Sequence, residues 1–127
     1  MKKLLSILII FVLSLNMCSC AYSADGIKSN LKDAGYDIIE FDEERKTEMN
    51  NELKYSYRGS GSIINGFYGV SSADSTSVTV LEFEDKSDLT IMYKMVKESL
   101  KKGECVDLSG YILIFGDKNG VNVALNK

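Results

Sequence analysis

The sequence predicts an α+β fold, a two-layer sandwich with helices on one face of a mostly antiparallel sheet of about four strands. Two observations carry this. Apolar residues at three- and four-residue steps mark helices, most clearly Leu89, Met92, Met95, Val96 and Leu100. Short apolar runs bounded by Gly, Ser, Asp and Asn mark strands between them, and the runs Ser62–Ser72 and Ser77–Glu84 lie so close in the chain that they form an antiparallel hairpin.

The elements follow in order. Gly26–Ala34 spaces Ile27, Leu31 and Ala34 along one helical face, with Asp25 as its cap and Gly35 where a left-handed residue ends a helix. Tyr36–Phe41 reads as a strand. Asp42–Leu53 is a charged, solvated helix anchored by Met49 and Leu53, with Asp42 as its cap and Glu43 and Glu44 in the first turn. Gly66 and Gly69 weaken or bend the strand Ser62–Ser72. In Ser77–Glu84, Val78 and Val80 share one face, and Leu81 and Phe83 are assigned to the other. Lys86–Lys102 is the clearest helix, capped by Ser87 or Asp85 and stopped by Gly103. Tyr111–Phe115 is a central strand and Asp117–Gly120 a turn. Val121–Leu125 fits either a strand or a helix, because short apolar runs are not resolved by period alone. The strand-helix-strand pieces resemble a ferredoxin-like plan.

The first residues carry an address. Met1, Lys2 and Lys3 are positive, Leu4 to Leu15 is an apolar run broken only by Ser6 and Ser14, and Cys18, Ser19, Cys20 and Ala21 are small. This is the three-part layout of a secretory signal peptide, and the run is short of the ~20 residues that span a bilayer. Met17-Cys18-Ser19-Cys20 resembles the lipobox of bacterial lipoproteins, with Met in place of Leu and Cys at the second position. The resemblance implies that Cys20 is lipidated and becomes the first residue. Ser19 precedes Cys20, whereas Met17 precedes Cys18 where a small residue is wanted. Ordinary cleavage after Ala21 or Ser23 competes. Residues 1–20 are thus expected to be signal peptide, 21–25 a tether and 26–127 a single α+β domain. The layout resembles small bacterial lipoproteins without an assigned activity, and implies a membrane partner reached through lipid, on the outer face of the cell membrane.

Composition narrows the chemistry. The 127-residue chain has no His, Pro or Trp, so Ser-His-Asp triads, Cys-His dyads and His-ligated zinc are excluded. Each favoured cut removes Cys18, and Cys20 is either lipidated or discarded. Cys105 is then the remaining thiol, and folding rests on packing without a disulfide. Without Lys2 and Lys3, 13 basic residues face 18 acidic ones, a net charge of −5. Such a domain is ill-suited to a phosphate backbone, and no nucleic-acid partner is expected.

Several residue groups invite a functional reading. Gly59-Ser60-Gly61 with Gly66 lacks the spacing and the following helix of a dinucleotide loop. Asp117, Asn119 and Gly120 lack the second acid and closing Glu of a calcium loop. Glu44, Glu48 and Glu52 recur on one exposed helix face with Arg45 and Lys46 between them. Cys105 lies between Glu104 and Asp107, which oppose thiolate formation. No metal or cofactor is expected from these. Tyr55-Ser56-Tyr57-Arg58-Gly59-Ser60-Gly61, with Phe67 and Tyr68, has the residue types of a contact surface: Tyr offers area with few torsions to freeze, and Arg offers directed donors. Tyr55, Tyr57, Arg58 and Tyr68 are therefore the candidate binding residues, for a protein, peptide or glycan. The expected function is non-catalytic binding at the cell envelope. The alternative is a small secreted enzyme using carboxylates or Cys105.

Overall fold

The computed structural model describes residues 22–127. The signal peptide, its cleavage and the lipidation of Cys20 lie outside the described residues. The elements run α1 (Ala24–Asp33), β1 (Asp37–Glu40), α2 (Glu43–Ser56), β2 (Ile63–Ser71), β3 (Thr76–Phe83), α3 (Lys86–Ser99), β4 (Glu104–Ser109), β5 (Ile112–Asp117) and α4 (Lys118–Ala124).

Local chemistry sets the helix ends. Ser23 caps α1 by accepting from the Gly26 N–H at 3.0 Å, so Ala24 and Asp25, expected in the tether, form its first turn. Gly35 follows at φ +89°, the left-handed conformation expected of it. The Asp42 carboxylate accepts from the Arg45 N–H at 2.8 Å and starts α2, which runs three residues past Leu53. Asp85 caps α3 through the Ser87 N–H. That helix stops short of Lys102 because the backbone turns extended at Leu100. The ambiguous segment is helical: α4 takes in Val121 and Ala124, and it begins inside the expected turn at Asp117–Gly120.

The sheet has five strands in the order β1-β2-β3-β5-β4, every neighbouring pair antiparallel. The fifth strand is β4, which the sequence reading left without an element. It runs along an edge as the parallel partner-but-one of β3, and α3 makes the crossover.

Helices cover both faces, which corrects the expected two layers to three. Side chains alternate across a strand. Phe67, Val80 and Ile114, aligned by register, join Val78 and Ile112 on one face under Ile27 and Leu31 of α1 and Val121 and Ala124 of α4. Leu81, Phe83 and Leu113 point the other way, onto Leu53 of α2 and Leu89 and Val96 of α3. The split of β3 into a Val78/Val80 face and a Leu81/Phe83 face was correctly read; each face has its own helix pair. With its extra edge strand and two helical layers, the fold matches a ferredoxin-like plan only roughly.

Candidate functional site

The segment singled out by its Tyr, Arg, Ser and Gly content joins α2 to β2, and it is fastened from beneath by Asp88 in the first turn of α3. Asp88 is fully buried. One carboxylate oxygen, Oδ1, accepts from the Ser60 N–H at 2.8 Å. The other, Oδ2, accepts from the Ser62 N–H at 2.8 Å and the Ser62 hydroxyl at 2.7 Å. The Ser60 hydroxyl lies 3.0 Å from Asp88 Oδ2 and 2.9 Å from Asp85 Oδ2, so its single proton is shared between the two acids. The Ser62 hydroxyl in turn accepts from the Asp85 N–H at 2.9 Å. Burial pushes the Asp88 carboxyl up, but the hydrogen bonds from Ser62 and Ser60 outweigh it and leave the group below its ordinary range. Among the described residues, the buried carboxylate of Asp88 pairs with no cation, and hydrogen-bond dipoles hold its charge.

Both glycines of Gly59-Ser60-Gly61 serve this fastening. A side chain at Gly59 would put its Cβ 2.5 Å from Asp88 Oδ1. Gly61 adopts φ +76°, and its Cβ would lie 2.8 Å from the Asn50 carbonyl. Asn50 completes the tie from α2: its side chain accepts from the Ile63 N–H at 2.8 Å and donates to the Ile63 carbonyl at 3.0 Å. The glycine-rich entry to β2 is thus a pinned loop.

Of the four candidate residues, three lie together where α2 ends and this loop begins. Tyr55 and Tyr57 are exposed at the C-terminal end of α2. Arg58 is exposed and has φ +59°, a left-handed conformation uncommon outside glycine. Tyr68 stands apart on β2. Its ring meets Phe41 edge to face at 4.6 Å between centroids, and its hydroxyl accepts from Arg45 at 3.4 Å. Arg45 lies ten residues before Tyr55 on the same helix, about 15 Å along its axis. The extension of the patch to Tyr68 is therefore not realised, and Phe67 is buried on the opposite sheet face.

The other groups stay dispersed. Glu44, Glu48 and Glu52 are exposed on α2, with Arg45 3.9 Å from Glu48. Among the described residues, no three Cys, Asp or Glu side chains gather so as to share a metal ion. Cys105 is half-buried against the α1/α4 core; burial and then the Asp107 charge push its thiol up. Asp117 starts α4 and accepts from the Ser77 N–H at 2.6 Å, a structural use for a residue considered for calcium. A concavity of about 270 Å³ beside α1 does bring two acids together, Asp25 and Glu40, with Lys28 and Lys46. Lys28 bonds the Glu40 carboxylate and holds it below its ordinary range, the wrong direction for a general acid.

Asp88 is the residue sequence reasoning missed. In the chain it looks like any acid in the first turn of a helix, where negative charge is favourable in its own right. No spacing in the sequence relates Ser60 and Ser62 to a helix start 26 to 28 residues on, so no signal there pointed to it. Comparison with protein-family models, with curated proteins and with solved structures found no match.

Proposed function

We propose that the protein is exported, held at the outer face of the cell membrane by lipid on Cys20, and works by surface contact rather than catalysis. The observation that carries the contact reading is the fastened loop. A fully buried carboxylate and two glycines are committed to fixing one surface segment, and the segment presents Tyr55, Tyr57 and a strained Arg58 to solvent. A loop fixed in advance loses little freedom when it binds, which is where contact surfaces gain affinity. Arg58 suits an acidic, hydroxylated or carbonyl-rich partner. The enzyme reading loses support from its own candidates. Glu40 is held ionised by Lys28, and the Cys105 thiol is pushed away from its reactive form.

The tether reading is tested by expressing the full chain, fractionating cells and weighing the intact protein. Lipid mass on a chain that begins at Cys20 is expected in the membrane fraction. Cys20→Ser should release the protein or leave its precursor unprocessed, and Cys18→Ser should change little. A soluble form beginning at Tyr22 or Ala24 overturns the reading. For the loop, Tyr57→Ala with Arg58→Ala should leave the thermal midpoint close to that of the parent. Both side chains face solvent, so a large fall would show that they serve stability instead.

A further inference from the structure

We infer that one end of the sheet is a membrane-resting face, so that the domain stands end-on against the bilayer at the point where its N-terminal chain joins the fold. The inference rests on the reading of a tethered chain and names the surface that the tethered domain meets.

The first observation is where exposed apolar side chains gather. The register places the start of β2, the end of β3, the start of β5 and the end of β4 at one end of the sheet. Ile63 pairs with Phe83, the Phe83 N–H donates to the Tyr111 carbonyl at 2.9 Å, and Ser109 pairs with Ile112. At this end lie Tyr22 (39% exposed), Ile64 (44%), Leu108 (41%) and Tyr111 (51%). Strands about 4.8 Å apart put β2 and β4 about 14 Å from each other; Leu108, paired with Leu113, leaves the sheet on the α2/α3 face, and Tyr22 is held at Ser109, paired with Ile112 of the α1/α4 face, so these side chains rim the end of the sheet from both faces. Tyr55, in the last turn of α2, and Tyr57, at its C-terminal cap, lead into the adjoining loop, which the Glu84 N–H ties to this end through the Ser62 carbonyl at 2.9 Å. Among the described residues, Ile39 on β1 is the one other exposed large apolar side chain.

The second observation is the direction of the chain. The Tyr22 N–H donates to the Ser109 hydroxyl at 2.8 Å, so the N-terminal segment joins the fold at the β4–β5 turn. Cys20 precedes Tyr22 by two residues, at most about 7 Å of chain. A lipid there brings the headgroups within reach of Tyr22, Leu108 and Tyr111. Tyr rings, apolar in body and polar at the tip, favour headgroup depth. Glu82, Glu84 and Asp85 share this end; Asp85 is held ionised by the Ser87 hydroxyl and N–H and by Ser60. These carboxylates keep the face at the headgroups and match it to zwitterionic rather than anionic lipid. The far end, with Asp74, Lys101, Lys102, Asp117 and Lys118, then points away.

The chain has no Trp, so a single introduced Trp is a unique reporter. Tyr111→Trp and Asp74→Trp are each made in the full chain, extracted from the membrane fraction and reconstituted into vesicles of brominated phosphatidylcholine. Intact mass of the same samples records lipid on Cys20. Quenching several-fold stronger at position 111 than at 74 is expected. Equal quenching with lipid on Cys20 overturns the resting face and leaves the tether. Preferential quenching at 111 without lipid on Cys20 supports the resting face and overturns the lipid reading. A position 111 that is shielded from bromine in chemically cross-linked dimers assigns the patch to a second copy and overturns the inference. Protein found only in the soluble fraction overturns both.

Discussion

At one end of the sheet, a loop, a strand start and a helix start meet around the buried carboxylate of Asp88, and large apolar side chains stand exposed around the β4–β5 turn. At the other end, Ser72–Ser75 links β2 to β3 through small and acidic exposed residues, and the basic, exposed Lys101–Gly103 leads into β4. There a single exposed carboxylate, that of Asp117, takes one N–H, that of Ser77, and Ser75 turns the chain at φ +53°. The two ends solve the same problem differently. The short turn needs one such bond, made at the surface. The six-residue loop returning from α2 instead places two N–H groups and two hydroxyls on one fully buried carboxylate, 26 to 28 residues away. The buried, many-bonded fastening is found where the exposed Tyr and Arg side chains are, which is where a fixed surface has a use.

Substitutions at the two ends should separate them sharply. Asp88→Ala removes the acceptor of two buried N–H groups and two hydroxyls, a loss of about 3–5 kcal/mol. For a domain of this size that lowers Tm by more than about 10 °C in a thermal melt. Asp74→Ala at the far turn should stay within about 0.5 kcal/mol of the parent. Equal effects would dissolve the distinction.

Acid should then act through the fastened end. Because the Asp88 carboxyl lies below its ordinary range in the folded state, the unfolded chain binds more protons there between the two values. Its stabilisation is complete above the ordinary carboxylate range and is lost as pH falls through the lowered folded value. Denaturant melts from neutral to acidic pH should show this loss, and Asp88→Asn should flatten it while lowering stability at neutral pH. An unchanged acid slope in Asp88→Asn would place the titration on other carboxylates.

Reductant should have the smallest effect, none. Cys105 lies near the far end of β4, opposite Gly116, while Tyr22 is held at Ser109, four residues away along the strand. Two residues of chain from Tyr22 do not span that distance with Tyr22 in place. A fall in Tm under reducing conditions would show a pairing with Cys105 and move the N-terminal chain to the wrong end of the sheet.

Much of the layout was legible because strong periodicity reports burial. The Leu89, Met92 and Val96 stripe, the Asp42 cap and the Ser62–Glu84 hairpin all reappear, their bounds shifted by up to three residues. The second helical layer was missed, although the unbroken run Ile112-Leu113-Ile114-Phe115 carried its signal, since a strand apolar at every position is buried on both sides. The strand Glu104–Ser109 was not legible. Its two acids and its half-buried pattern are those of a sheet edge, where polar residues keep the free side from pairing. Tyr55, Tyr57 and Arg58 lie together because they are adjacent in sequence. Tyr68 does not join them, because its position depends on which face of β2 it occupies. Asp88 was invisible for a different reason: its partners lie in a loop, and no spacing rule relates the two.

The reach of Asp88 also sets how the molecule opens. Ser60 and Ser62 sit in a surface loop, where amide hydrogens ordinarily trade with solvent through small local fluctuations. Here both amides end on a carboxylate carried by the first turn of α3, so neither is freed unless that turn unwinds or the loop lifts as a whole. Their protons should exchange at the rate of the α2–β2 connection and the start of α3 opening together, as one cooperative unit. The surface segment thereby inherits the slow clock of the interior.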